Sequence, residues 1–240
     1  MRVLTFASQK GGSGKTTLAG HLAVQAERVG AGPVALIDTD PQGSLSDWWN
    51  ARAAETPLFA QTFILRLGED LRKMAQGGVE LVIFDTPPAI TTTIEHVIRV
   101  SDLVVIPTRP SPHDLRAAGA TVDLVERARS SLVFVVNAAT PRARISAEAA
   151  VALSQHGTVA PVTLHQRTDY AASMIDGRTV MELPESGRAA QEIAELWDYL
   201  SDRLSRTEGR YAAGRRDAEA TPPAAVDAVQ GSLAQQRGTA

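Results

Sequence analysis

Six short apolar runs punctuate the chain: RVLTFA (2–7), PVALID (33–38), ELVIFD (80–85), DLVVIP (102–107), LVFVVN (132–137) and APVTL (160–164). Each is nearly continuous in apolar residues instead of alternating with polar ones. A strand reads that way when both faces of its sheet are covered. Between the runs, helical patterns span 16–28, 69–76, 92–100, 115–129, 146–156, 169–175 and 185–204. The first stops before Gly30, and glycine is a common helix stop. Strands separated by helices make βαβ units. The pattern therefore predicts an α/β fold with a doubly wound, mainly parallel sheet and helices on both faces.

The pattern fades after about residue 205. The stretch TEGRYAAGRRDAEATPPAAVDAVQGSLAQQRGTA is rich in Ala, Gly and Pro and poor in large apolar side chains. It cannot bury enough surface to offset the entropy of ordering it. One compact domain over 1–205 and a disordered tail over 206–240 are expected. Trp48 and Trp49 are adjacent, and neighbouring helical positions face different sides. One of the two is expected to pack while the other is exposed, and simple packing is preferred to a contact surface.

Composition excludes several chemistries. There is no cysteine, hence no disulfide framework, thiolate metal site or iron–sulfur cluster. His21, His96, His113, His156 and His165 are scattered without ligand spacing, which argues against structural zinc. No apolar run approaches the roughly 20 residues that span a bilayer. The amino terminus moves straight into a strand pattern, so a cytoplasmic protein without membrane attachment is expected. A net charge of −3 gives no global sign of nucleic-acid binding.

Lysine is scarce: Lys10, Lys15 and Lys73 are the whole set, and two of them fall within FASQKGGSGKTTLAGHLA. An apolar strand, a glycine-rich loop and a helix form the context that a phosphate-binding loop requires. Gly11, Gly12 and Gly14 let the backbone curl so that its N–H groups face phosphate oxygens, with the helix dipole behind them. Lys15 supplies a charge for the β- and γ-phosphates, and the Thr16 hydroxyl suits Mg²⁺. Gly11, Gly12, Ser13, Gly14, Lys15, Thr16 and Thr17 are thus the candidate ATP-binding segment. Gln9 stands where the usual G-x-x-x-x-G-K-[ST] pattern has its first glycine. A magnesium nucleotide site also needs a carboxylate at a neighbouring strand end. Asp85 closes one apolar run and Asp38 another, with Asp40 two residues further on. Both ends belong to the carboxyl edge of the sheet, where open α/β folds bind ligands.

KGGSGKTT, DTDPQGS and FDTPP together resemble the ParA/MinD family of deviant Walker ATPases, in order and spacing, across most of the first 205 residues. The resemblance implies an ATP- and Mg²⁺-dependent ATPase that is slow until a partner stimulates it. Lys10 would be the signature lysine, reaching the phosphates held by the other protomer of an ATP-sandwich homodimer. Lys10, Lys15 and Asp40 would be catalytic, with Asp40 positioning the attacking water. Thr16, Asp38 and Asp85 would hold the metal, partly through water. Segment 86–93 would be the second switch, and Pro107, in the loop 107–114, would meet the adenine together with Asn137.

Within the family, cysteine-dependent members are excluded. No amphipathic membrane helix or tyrosine cluster is visible in the tail. The chain looks most like small ParA-type plasmid partition ATPases, which lack an N-terminal helix-turn-helix domain. That implies ATP-dependent binding to non-specific DNA, nucleoid association, and a small centromere-binding adaptor, often of ribbon-helix-helix type. Arg167, Arg178 and Arg188 match positions where the family puts DNA-contacting basic residues. DNA partition is the first reading. The alternatives are nucleoid-based positioning of a protein cargo, such as a microcompartment or chemoreceptor cluster, and a metabolic P-loop enzyme.

Overall fold

A computed structural model describes residues 1–89, 92–184, 187–207, 209 and 211. In chain order they form β1 (Arg2–Phe6), α1 (Lys15–Arg28), β2 (Val34–Asp38), α2 (Ser44–Asn50), β3 (Leu58–Phe59), α3 (Leu67–Gln76), β4 (Leu81–Asp85), α4 (Thr92–Val100), β5 (Leu103–Thr108), α5 (Pro112–Ala128), β6 (Ser131–Val136), α6 (Arg144–Ser154), α7 (Thr168–Met174) and α8 (Arg188–Ser205), with 3₁₀ turns at Ile64–Arg66 and Val180–Glu182. The strands make one sheet in the order β3-β2-β4-β1-β5-β6, with every pair parallel.

The continuous apolar runs are explained by which way each residue faces. In β4, Leu81 and Ile83 join a core with Leu18 and Leu22 of α1 and Ile193, Leu196 and Trp197 of α8. Their neighbours Val82 and Phe84 join Leu67 and Leu71 of α3 and Val97 of α4 on the opposite face. A further cluster on that second side unites Val104 and Ile106 of β5 with Ile94 and Ile98 of α4 and Val122 and Val125 of α5. Both faces are covered, so both members of most alternating pairs are apolar, and the buried Thr5 of β1 is matched by the Ser101 hydroxyl.

Register positions the site. Asp38 and Asp85 are opposite one another on β2 and β4, and Phe6, the last residue of β1, is also opposite Asp85. Three adjacent strands therefore end at one level.

The segment 160–164 is not a strand. It runs along the outer edge of β6 through isolated parallel bridges, Phe134 to Val159 and Ala139 to His165. Pro161 has no N–H to give, which interrupts the ladder. The two-residue β3 is too short to leave a pattern. Both tryptophans are buried, which corrects the expectation that one would be exposed. Trp48 Nε1 donates to the Arg178 carbonyl at 3.0 Å, and Trp49 Nε1 to that of Pro57 at 2.8 Å. The helix predicted over 185–204 begins at Arg188, and residues 185–186 lie outside the described residues. So does almost all of the expected tail, except 206, 207, 209 and 211. Among the described residues, no helix is long and apolar enough to cross a membrane.

Candidate nucleotide-binding site

The loop between β1 and α1 is built on two left-handed glycines, Gly12 at φ +70 and Gly14 at φ +98. An L side chain at either position would be strained. Gly14 carries a second constraint, because a Cβ there would stand 2.3 Å from Asn137 Nδ2. That amide donates to the Ser13 carbonyl at 2.7 Å, and the Asn137 backbone N–H donates to Thr108 at 2.9 Å. Asn137 thus fastens the end of β6 to the loop. Among the described residues no side chain caps the start of α1, which leaves its first N–H groups available to a ligand.

The carboxylates face this loop from the neighbouring strands. Thr16 Oγ1 donates to Asp85 Oδ2 at 2.5 Å, while Asp85 Oδ1 is buried without a partner. Burial, with help from nearby Asp38 and Asp40, pushes the Asp85 carboxyl up to about 7 against the opposing pull of Thr16 and Lys15. Asp38 Oδ2 accepts from the N–H groups of Leu45 and Ser46 at 3.1 and 3.0 Å, and Oδ1 accepts from the Asp40 N–H at 3.0 Å. Asp38 therefore anchors both the turn bearing Asp40 and the start of α2. Lys15 is buried beside them; burial lowers its pKa, and Asp85 and Asp40 oppose that shift. Lys10 projects into solvent ahead of the loop.

Three buried polar atoms at this place lack partners: Gln9 Nε2, Ser13 Oγ and Asp85 Oδ1. Such atoms call for a water, an ion or a ligand to complete them, and three of them gather here. The donor set fits a magnesium nucleotide. One hydroxyl and two strand-end carboxylates are what Mg²⁺ uses alongside phosphate oxygens and water. A cation there would also offset the unfavourable burial of Asp85. Among the described residues, no group of three or more His, Cys, Asp or Glu could hold a metal by itself.

The other predicted residues have varied settings. Pro107 is a buried interior residue of β5, opposite Val135. The ligand-accessible part of the 107–114 loop starts at Arg109, which is exposed. Residues 90–91 of the predicted second switch lie outside the described residues. Arg167 is held by Glu192, with Nη2 to Oε1 at 2.6 Å. Glu192 also accepts from Tyr170 OH at 3.0 Å and from the His165 N–H at 3.1 Å. Burial alone would raise the Glu192 pKa, but the bonds from Arg167 and His165 outweigh it and hold it low. Arg178 is exposed and folds back on Asp176 at 2.7 Å. Arg188 is exposed at the start of α8. The three arginines thus sit on separate elements with different degrees of engagement.

Sequence reasoning missed the buried Arg52. Its guanidinium is paired with Glu182, donates to the carbonyls of Gly177 and Thr56, and lies 4.9 Å from the centroid of the Trp48 ring. No short-range signal marks that pair, since 130 residues separate its members.

A parallel doubly wound sheet, a glycine cradle between β1 and α1, and carboxylates on adjacent strand ends define a P-loop nucleotide-binding protein. Residues 4–180 match the model of the CobQ/CobB/MinD/ParA nucleotide binding domain, and the chain belongs to that family. ATPase activity is supported at the level of the family. The "Maintenance of carboxysome distribution protein A" of Halothiobacillus neapolitanus is 30% identical over 207 residues, covering 80% of this chain and 93% of that protein. The protein of the same name from Gloeobacter kilaueensis is 43% identical over 124 residues, covering 50% of this chain and 55% of its own length. The Mg-ADP complex of the septum site-determining protein MinD from Pyrococcus horikoshii shares the fold. Its TM-score is 0.70 at 16% identity, over 85% of this chain and 97% of that one.

Proposed function

We propose that this protein is an ATP-driven positioning switch, which distributes a protein cargo by riding on non-specific DNA. The observation that carries the reading is the pairing of an intact site (Lys10, Lys15, Thr16, Asp38, Asp40 and Asp85) with relatives whose name is carboxysome distribution. Those relatives favour protein cargo over the plasmid partition that the sequence first suggested.

Two protomers would close around two ATP molecules, with Lys10 of each facing the nucleotide of the other. Mg²⁺ at Thr16, Asp38 and Asp85 would supply charge neutralisation when bound. In hydrolysis, water orientated by Asp40 attacks the γ-phosphorus, the bond to the β,γ-bridging oxygen breaks, and ADP and phosphate leave. Lys10 and Lys15 neutralise the charge that develops on the way. Because Lys10 acts across the interface, turnover requires assembly. The closed dimer would hold DNA through Arg188, joined by Arg178 once it leaves the exposed Asp176 and by Arg167 once Glu192 releases it. An adaptor on the cargo would stimulate hydrolysis and release the dimer, in the place that the centromere-binding protein takes in partition systems.

Deleting the gene in its host tests the cargo. The reading expects a protein assembly encoded nearby to lose its even spacing, with plasmid retention unchanged. Plasmid loss with evenly spaced assemblies would return the protein to DNA partition.

A further inference from the structure

We propose that Arg109 is a further phosphate-binding residue, one that contacts the polyphosphate chain of the nucleotide held by its own protomer. This rests on reading the loop as a nucleoside triphosphate site.

The first observation is placement. Arg109 Nη2 lies 3.6 Å from the point where a Cβ on Gly12 would stand, against the backbone of the phosphate cradle. The second is charge. Among the described residues, Arg109 has no acidic partner, whereas Arg52, Arg167 and Arg178 each have one. A guanidinium and a cradle of N–H groups are both electropositive, and the nearby carboxylates bond elsewhere, Asp85 to Thr16 and Asp38 to the start of α2. Groups of like sign converge in this way where an anion is to be bound. The third is the unpartnered Ser13 Oγ, buried in the next residue of the same loop.

The arginine is also held in place from behind. The Arg109 carbonyl accepts from the Ser111 N–H at 2.8 Å, and Pro110 stiffens the turn between them. The Thr108 carbonyl accepts from the Asn137 N–H, and the Asn137 side chain is bonded to Ser13. A single chain of contacts thus fixes the root of Arg109 relative to the loop. Its planar fork presents two parallel N–H donors to phosphate oxygens, a fixed geometry that a lysine ammonium lacks.

The test is nucleotide titration of the full chain, with fluorescent ATP and ADP, for wild type, Arg109→Ala, Arg109→Gln, Arg109→Lys and Lys15→Ala. Arg109 is exposed, so all three Arg109 variants should melt with the wild type. Both neutral variants should weaken ATP binding about tenfold, the size of one lost charge-assisted contact, with Arg109→Lys restoring part of it. Unchanged affinity in the neutral variants, with binding lost in Lys15→Ala, overturns the role of Arg109 alone. Unchanged affinity in every variant, Lys15→Ala included, overturns the reading of the site itself.

Discussion

Arg52 and Glu182 meet through two hydrogen bonds, Nη1 to Oε2 at 3.0 Å and Nη2 to Oε1 at 2.8 Å. They join the end of α2 to the 3₁₀ turn that follows α7. The Arg52 side chain is 2% exposed and that of Glu182 is 23% exposed, so the pair is largely shielded from water. Since α2 starts on Asp38, this contact ties the candidate metal carboxylate to the segment that carries Arg178. Arg52→Ala would take the donor from two carbonyls and leave the Glu182 carboxylate only its bonds from the Thr179 N–H and hydroxyl. A loss of about 3 kcal/mol is expected in chemical denaturation, and Arg52→Lys should recover little because the fork is missing. An unchanged midpoint would show that the pair adds nothing.

Gly14→Ala should remove nucleotide binding. The new methyl would oppose φ +98 and stand 2.3 Å from Asn137 Nδ2. The loop can accept it only by giving up the Asn137 bond and its cradle shape. Isothermal titration with ATP should show no saturation, while far-UV circular dichroism stays that of a folded protein. Wild-type affinity in the variant would mean that the cradle tolerates the shift.

His21 gives the fold a pH dependence. It is fully buried on α1, and Nδ1 lies 2.8 Å from the Thr17 carbonyl, which can only accept, so the proton is on that nitrogen. Burial pulls its pKa down from 6.5 to about 4. The unfolded chain therefore binds a proton that the folded chain refuses between these values. Stability from this group is complete above pH 6.5 and declines as pH falls toward 4, by about 3 kcal/mol at the limit. The raised Asp85 carboxyl works in the opposite sense over the same range. The His21 contribution is therefore read as the difference between wild type and His21→Gln, whose denaturant midpoints from pH 4 to 7 should diverge with that slope. Equal slopes would assign the dependence to other groups.

Asp40→Ala should separate binding from turnover. Among the described residues the Asp40 side chain accepts from the Gln42 N–H alone, at 3.0 Å, so its removal disturbs little structure. ATP affinity should hold within a few-fold while hydrolysis falls by about 10²-fold or more, the scale of a lost proton-handling group. Turnover at the wild-type rate would remove Asp40 from the reaction.

The parts of the site that were legible in the sequence are local ones. The loop 11–17 is contiguous, and Asp38 and Asp85 end recognisable apolar runs whose parallel register then sets them side by side. What could not be read depends on contacts between distant residues. Arg167 looks like a free surface cation until Glu192, 25 residues away, is seen to hold it. Trp48 and Trp49 look divided between inside and outside until the carbonyls of Arg178 and Pro57 receive both indole N–H groups. Two residues of β3 carry no period, and Pro161 spoils an otherwise good strand pattern only once its neighbours on β6 are known.

The most direct measurement is binding to non-specific duplex DNA at moderate salt, with ATP, with ADP and without nucleotide, for wild type and Lys10→Ala. Moderate salt matters because phosphate contacts are exaggerated when ionic strength is low. Binding with ATP alone, lost in Lys10→Ala, is the expected result. Binding that ignores nucleotide, or none in any condition, would contradict an ATP-gated switch that rides on DNA.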